Sequence, residues 1–355
     1  MLTDGRLEVK NFSVSYYGYG RKVEEAEFSL DEGEVLCLLG AEGSGKTTLL
    51  RGLAGLEESE GEVKIGGREL FSLPPKEREI CYTFGEDSLE KKKTAAENIL
   101  KPLKLRGASE EYMRQRLAFA ARLTGAENIL REKVKWLPPF YLAQIILARA
   151  FVRETNLLLL DEPLSSLSFT QRKRLFDRLR AAAGEIGGRI IYATERPYEA
   201  QGLPDKVGIM SEGRLVQCSP LSEIYKDPAH RAAVEAFAPE IALLPARAVK
   251  AGGWAVEIGG ERAKCAPLLS DVYDGREVIA AVRREDVSAG GKLPAKTLGV
   301  FDDGKCRCLR LGVKGGELLC AAEGRVESVS IARAAFVFDA RSGFRIDKAA
   351  EKLPV

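Results

Sequence analysis

Up to about residue 237, the apolar positions alternate between short strand-like runs and stretches with helical periodicity. The strand-like runs are Leu7 to Tyr16, Glu34 to Leu39, Gly61 to Ile65, Glu79 to Phe84, Leu157 to Leu160 and Arg189 to Thr194. The helical stretches are about Thr94 to Lys135, Leu142 to Phe151 and about Thr170 to Ala183. A fully apolar run such as Leu157 to Leu160 is typical of a parallel strand that is covered on both faces. Strands that alternate with helices predict an α/β domain.

The pattern changes beyond Phe237. Pro239 and Pro245 flank a stretch that resembles a linker, and short β-like runs follow, separated by Gly and Asp. These runs are Trp254 to Ile258, Glu277 to Val282, Leu309 to Val313, Glu317 to Ala321 and Val326 to Ile331. We therefore predict an α/β domain over 1–237, with a helical subdomain at about 86–150. A small β-rich, OB-like barrel or sandwich is predicted over 240–355.

Composition narrows the class of protein. Lys and Arg total 54 against 52 Asp and Glu, for a net charge of +2, which gives no electrostatic reason to expect nucleic acid as a partner. No apolar run approaches the ~18 residues of a membrane span, and the first residues lack the pattern of a signal peptide. Seven scattered cysteines suit reduced thiols. We expect a cytoplasmic protein that contacts a membrane only through partners.

A glycine-rich segment between a strand and a helix carries the clearest chemistry. Gly40-Ala-Glu-Gly43-Ser44-Gly45-Lys46-Thr47-Thr48 fits the pattern G-x-x-x-x-G-K-[ST] in full. Glycines let successive backbone amides face a phosphate, and the following helix adds its positive N-terminal end. Lys46 would reach the β- and γ-phosphates, and the Thr47 hydroxyl would bind Mg²⁺. The segment predicts a nucleotide site that uses ATP and Mg²⁺.

A second motif ends the buried run Leu157 to Leu160. Asp161 follows that strand directly and is placed to hold Mg²⁺, either directly or through water. Glu162 comes next and could act as the general base that polarises an attacking water. An apolar run before Asp-Glu is weak evidence alone, but downstream of a complete P-loop it supports the same nucleotide site.

Further segments of the chain resemble one particular family of nucleotide-binding proteins. Asp161-Glu-Pro-Leu-Ser-Ser-Leu167 is similar to the second Walker motif and D-loop of ABC ATPases. Leu147-Ala-Arg-Ala150 resembles the helix after their signature motif. Ile209 to Gln217, Glu223 to Pro228, Val282 to Val287 and Phe338 to Gly343 resemble parts of importers of sugars, polyamines or ferric iron. The resemblance implies that Tyr16, or alternatively Tyr17, stacks on adenine, although a tyrosine of an edge strand would look the same.

Four positions depart from the family pattern. The signature Leu-Ser-Gly-Gly-Gln is replaced by Leu137-Pro-Pro-Phe-Tyr141, and prolines have no N–H to offer a phosphate. Gly85 stands at the Q-loop glutamine, Glu195 at the switch histidine and Ser168 at the D-loop aspartate. A further departure is the run from Lys91 to Lys93, where importers usually have an apolar stretch near the coupling helix of the transmembrane subunit. A solvated loop is the simpler interpretation of this run.

The resemblance implies the ATP-binding subunit of an ABC importer, peripheral on the inner face of the membrane. It would pair with permease subunits and with a second ABC ATPase chain, in a homodimer or heterodimer. The four departures favour a second hypothesis, a regulatory or structural subunit that binds ATP and is catalytically impaired, whereas the intact Glu162 favours the first. Under either hypothesis we expect weak hydrolysis. The transported substrate does not follow from the sequence.

Overall fold

The chain divides into two units, 1–221 and 222–355, in a computed structural model. The described residues are 5–16, 20–74, 77–83, 88–186, 188–201, 204–238, 240–302, 307–322 and 324–347. Along these ranges, no helix has the combined length and apolar character needed to cross a membrane.

The first unit contains a ten-stranded sheet in the order β5-β4-β1-β2-β10-β9-β3-β8-β7-β6. Its strands are β1 (Leu7–Tyr16), β2 (Gly20–Leu30), β3 (Val35–Leu39), β4 (Glu58–Ile65), β5 (Arg68–Glu69), β6 (Ile80–Tyr82), β7 (Leu157–Asp161), β8 (Arg189–Thr194), β9 (Lys206–Ser211) and β10 (Arg214–Ser219). Its helices are α1 (Lys46–Leu53), α2 (Ala95–Lys104), α3 (Glu110–Thr124), α4 (Pro139–Phe151), α5 (Phe169–Ile186) and α6 (Pro197–Ala200).

The middle of this sheet is parallel and buried. Strand β3 lies between β8 and β9, and β7 lies between β8 and β6. All five residues of β3 are buried, as are Leu157 to Leu160, because side chains on both faces of these strands are covered. Parallel strands end at the same edge of a sheet, so the loops after β3, β7 and β8 are brought together there. This edge carries the P-loop, Asp161 and Glu195.

Helices α2, α3 and α4 form the predicted helical subdomain. Thr94 and Glu97 make a capping box that begins α2, since each side chain accepts the other's backbone amide. Ser109 caps the start of α3, and Gly125 ends that helix with a φ of 77°, a backbone angle that glycine adopts without strain. Helix α4 is apolar and packs against both α2 and α3.

The second unit begins at α7 (Leu221–Lys226) and α8 (Arg231–Phe237) and continues as two β-sheets. Its strands are β11 (Ala242–Lys250), β12 (Trp254–Ile258), β13 (Glu261–Lys264), β14 (Glu277–Val282), β15 (Val287–Asp302), β16 (Arg307–Val313), β17 (Gly316–Cys320), β18 (Ser328–Ile331) and β19 (Phe336–Asp339). One sheet has the order β13-β12-β11-β14-β19 and the other β17-β16-β15-β18. Apolar residues from both sheets share one core, as expected for the predicted small β domain.

Two features of this unit differ from the sequence prediction. The stretch around Pro245 is not a linker, because it belongs to β11. Within β11, only residues 247–250 pair with β12. At Pro245, β11 therefore has a single neighbouring strand, β14, and the missing N–H of the proline is tolerated. Helix α8 also packs within this unit: Val234 shares a cluster with Phe336 and Phe338.

Candidate functional site

The P-loop connects β3 to α1 at the carboxyl edge of the sheet. Gly43 and Gly45 have φ angles of 76° and 103°, which L side chains rarely adopt. A Cβ on Gly40 would lie 2.5 Å from the Met210 carbonyl oxygen and 2.5 Å from Ser44 Oγ. The loop therefore requires glycine for two reasons, backbone angle and close packing against β9.

Lys46 is the buried cation of this loop, with a side chain that is 4% exposed. Its Nζ donates to the carbonyl oxygens of Gly40 and Ala41 at 2.8 and 3.0 Å. The same Nζ lies 3.6 Å from Glu162 Oε1 and 3.9 Å from Glu195 Oε1. The phosphate-binding lysine predicted from the sequence is thus held among four oxygen atoms.

Thr47 and Asp161 come together at the predicted metal position. Thr47 Oγ1 donates to Asp161 Oδ1 at 3.1 Å, and the Tyr82 hydroxyl donates to Asp161 Oδ2 at 2.7 Å. The Asp161 amide donates to Thr83 Oγ1 at 3.1 Å. A hydroxyl beside a carboxylate is a donor set that suits Mg²⁺. Burial and the bond to Asp161 raise the pKa of Tyr82, so its hydroxyl stays a donor at neutral pH.

Glu162 has an unusual backbone. Its φ of 44° lies in the left-handed region, which costs a non-glycine residue about 1–2 kcal/mol. Its amide donates to the Ala193 carbonyl of β8 at 3.2 Å, which holds this conformation. Burial raises the pKa of the Glu162 carboxyl; Lys46 opposes this effect, and Glu195 and Asp161 add to it. A strained carboxylate beside the P-loop suits a functional role.

The remaining predicted residues line or support one groove of about 690 Å³. Tyr16 ends β1, and its hydroxyl is 3.1 Å from Thr48 Oγ1. Ser44 Oγ is buried and has no hydrogen-bond partner among the described residues. The orphaned hydroxyl, the buried lysine and the glycine cradle all fit an incoming phosphate, which would accept a hydrogen bond from Ser44 Oγ. The residues present therefore fit a nucleotide with Mg²⁺.

Three of the four departures lie in described residues. Pro138 precedes α4 without a side-chain cap, Pro139 is its first residue, and the amides of Tyr141 and Leu142 both bond to the Pro138 carbonyl. Ser168 precedes α5, and its hydroxyl donates to Gln171. Glu195 is 41% exposed and lines the groove. Gly85 lies outside the described residues, as does Tyr17.

Two further residues were missed by the sequence analysis. Tyr82 orients Asp161 from the neighbouring strand, and only the parallel pairing of β6 with β7 brings it there. Glu199 is 2% exposed and accepts hydrogen bonds from Tyr192 and Thr194 at 2.8 and 2.6 Å, with Arg172 Nε at 3.8 Å. This buried acid anchors the segment that follows Glu195. Neither residue belongs to a local motif.

The chain is similar to known proteins over most of its length. A family described as "ABC transporter" matches residues 23–165. The trehalose/maltose import ATP-binding protein MalK of Thermococcus litoralis is 34% identical over 285 residues, which cover 76% of each chain. The sn-glycerol-3-phosphate import ATP-binding protein UgpC of Chromobacterium violaceum is 33% identical over 81% of this chain and 78% of its own.

A solved structure shows the same fold in the first part of the chain. It is the dimeric, post-hydrolysis state of the ATP-binding cassette MJ0796, bound to ADP and Pi. The similarity has a TM-score of 0.53 at 24% identity and covers 60% of this chain and 98% of that one. At this identity the comparison supports the fold alone.

Proposed function

The chain belongs to the ATP-binding subunits of ABC importers, and we propose that it binds Mg-ATP in the groove lined by Tyr16, Lys46, Asp161 and Glu162. Such subunits bind ATP, form dimers and couple ATP to solute import through separate membrane permeases. The observation that carries the proposed site is Lys46, which is buried beside two loop carbonyls in the same groove that Thr47 and Asp161 line.

Each residue has a distinct part in this proposal. Lys46 and the amides from Gly43 to Thr48 hold the phosphates, and Tyr16 packs on the adenine. Thr47 and Asp161 hold Mg²⁺, which would neutralise charge on the phosphates when bound. Glu162 accepts the proton of the attacking water, a role that its raised pKa and its place beside Lys46 support.

Calorimetry with Mg-ATP tests the site. The wild-type chain should bind with a dissociation constant between about 1 μM and 1 mM. Lys46→Ala should abolish binding because it removes the phosphate-binding charge. Lys22→Ala is the matched control, since Lys22 is an exposed lysine that lines the same groove. Undiminished binding by Lys46→Ala would refute the assignment.

We further propose that the isolated chain hydrolyses ATP slowly. The start of α4 has no serine hydroxyl, and its two prolines have no backbone N–H to donate to a phosphate. Glu195 puts a carboxylate at the switch position. Removal of one preorganised donor can lower a rate by about 10²–10³. Phosphate release by wild type should therefore be close to that of Glu162→Gln. Brisk hydrolysis that this variant abolishes would contradict the proposal.

The proposed partners are a permease pair and a second nucleotide-binding chain, on the cytoplasmic face of the membrane. A groove of about 760 Å³ beside the helical subdomain is lined mainly by apolar residues, with three hydroxyl residues and four basic ones, which are Lys101, Arg106, Arg149 and Arg153. Lys91 to Lys93 are exposed close to the start of α2. A permease segment with apolar and acidic side chains would suit this surface.

Native mass spectrometry after co-expression with permease subunits tests the assembly. We expect a heterodimer with a chain that has a complete signature motif, because in a homodimer both composite sites would face Pro138 and Pro139. A homodimer on the permease that supports ATP-driven transport would exclude this arrangement. The two named relatives import different solutes, so the substrate class is not part of the proposal.

A further inference from the structure

The ammonium group of Lys46 donates two hydrogen bonds to loop carbonyls and lies at ion-pair distance from two carboxylates. It has three protons, and four oxygen atoms lie within 4 Å of Nζ: two loop carbonyls and the carboxylates of Glu162 and Glu195. A phosphate oxygen that binds Lys46 therefore competes with the two carboxylates for its charge. The carbonyls belong to the P-loop itself, so the carboxylates are the partners that can be replaced without reshaping the loop.

The two carboxylates reach Lys46 from neighbouring parallel strands. Glu162 follows β7 and Glu195 follows β8, and these strands pair through Asp161 and Ala193. Glu162 has its backbone fixed by the bond to the Ala193 carbonyl. Glu195 lies beyond the end of its strand and is 41% exposed, so its side chain can turn away from Lys46. Glu195 is therefore the more replaceable competitor.

The charges that line the groove determine which nucleotide the competition disfavours. Its acidic lining residues are Glu42, Asp161, Glu162 and Glu195, and its basic ones are Lys22 and Lys46. A carboxylate within a few ångströms of a phosphate repels it, and partial burial weakens the screening by solvent. The lysine of a P-loop reaches the β- and γ-phosphates, so a nucleotide with a γ-phosphate brings an additional charge towards the carboxylates that surround Lys46.

We propose that Glu195 is a nucleotide-selectivity residue, which competes with the terminal phosphate for Lys46 and lowers the affinity for ATP relative to ADP. This inference rests on the proposed nucleotide site. Its consequence is that the site fills with ATP only when ATP is in sufficient excess over ADP. A neutral side chain at position 195 should remove this discrimination.

Calorimetric titration with Mg-ATP and with Mg-ADP tests the proposal in the full chain. Glu195→Gln keeps the shape of the side chain and removes its charge. We expect this variant to lower the ratio Kd(ATP)/Kd(ADP) about tenfold, which corresponds to about 1.4 kcal/mol. Glu27→Gln is the control, because it removes a charge from an exposed residue of β2 that does not line the groove; its ratio should stay within about twofold of wild type.

Salt provides a second measurement. Raising the ionic strength from about 0.05 to about 0.3 M should lower the ratio in wild type, because screening weakens the repulsion, and should leave the ratio in Glu195→Gln nearly unchanged. Glu195→Ala should reproduce the effect of Glu195→Gln, and circular dichroism should show that both variants are folded.

The outcomes separate this inference from the proposed site. If wild type binds both nucleotides and Glu195→Gln changes both affinities equally or not at all, the selectivity role is wrong and the site stands. An equal fall of the ratio in Glu27→Gln would also overturn it, since any negative charge would then suffice. If neither wild type nor variants bind either nucleotide, the site and the inference both fail.

Discussion

At the residue scale, Asp161 shows how the candidate site is held. Thr47 and Tyr82 each donate to a different carboxylate oxygen, and Thr83 accepts from the backbone amide. Because both oxygens have partners, the carboxylate has one orientation before any ligand arrives. Tyr82 fixes the position of Oδ2. It belongs to no nucleotide-binding motif and lies on a separate strand, β6.

Tyr82→Phe should therefore lower the affinity of the nucleotide site for Mg²⁺. Loss of a residue that orients a metal ligand lowers metal affinity by about 10–100-fold. We expect the half-saturating Mg²⁺ concentration for ATP binding to rise about tenfold, with binding of metal-free ATP unchanged. Tyr198→Phe is the control, because the Tyr198 hydroxyl bonds to Glu199 and not to Asp161. An equal shift in both variants would show that Tyr82 has no specific role.

At the element scale, β3 is held in place at the end opposite the P-loop. Glu34 precedes β3, and its Oε2 accepts from Lys206 Nζ and from the Asp31 amide, each at 2.8 Å. Lys206 begins β9 and also donates to the Ser29 carbonyl at 3.0 Å. This ion pair fastens the turn between β2 and β3 to a strand that pairs with β3.

This pair gives a pH-dependent contribution to stability. Burial raises the pKa of Glu34, but Lys206 and the Asp31 amide outweigh it and hold the pKa below its usual range. The carboxylate thus stabilises the fold above its unfolded pKa, and this stability is lost as pH falls through the folded pKa. We expect Glu34→Gln to lower the free energy of unfolding by about 1 kcal/mol at pH 7.

Urea unfolding at pH 7 and at about pH 3.5 checks this expectation. The difference between wild type and Glu34→Gln should shrink at the lower pH, because a pH of about 3.5 lies below the ordinary pKa of a glutamate, so the unfolded wild-type chain binds a proton there that the folded chain resists. Glu32→Gln is the control, since Glu32 is exposed in the same turn. A difference that is equal at both pH values would mean that the charge of Glu34 contributes nothing.

At the scale of the whole molecule, the chain consists of two units with separate cores. The first core combines β1, β3, α1, β7 and β8, and the second combines both β-sheets of residues 222–355. Helix α8 belongs with the second: the Arg231 amide donates to the Gly343 carbonyl, and the His230 ring packs edge-on against Phe344. The predicted boundary at 237–240 thus falls after a helix that packs with the β-rich unit.

The position of this boundary can be tested by truncation. A chain that ends at residue 221 should fold and retain the nucleotide affinity of the full chain, because the groove and its core lie within 1–221. A chain that ends at residue 237 should be less soluble, because Val234 would lose its cover by Phe336 and Phe338. Size-exclusion chromatography and calorimetry measure both properties. Equal solubility of the two chains would favour a boundary near 237.

The amino-acid sequence by itself determined the parts of this protein that local spacing encodes. The P-loop, the strand before Asp161, the buried central strands and the family all follow from neighbouring residues, because glycine spacing and apolar runs are local properties. Tertiary structure decided what depends on pairing between distant segments. Strand β11 did not follow from the sequence because it contains Pro245. The bond from Tyr82 to Asp161 requires that β6 lie beside β7. Glu195 reaches Lys46 only because β8 ends at the same edge of the sheet. These contacts join residues that are far apart in the chain, and no local pattern records them.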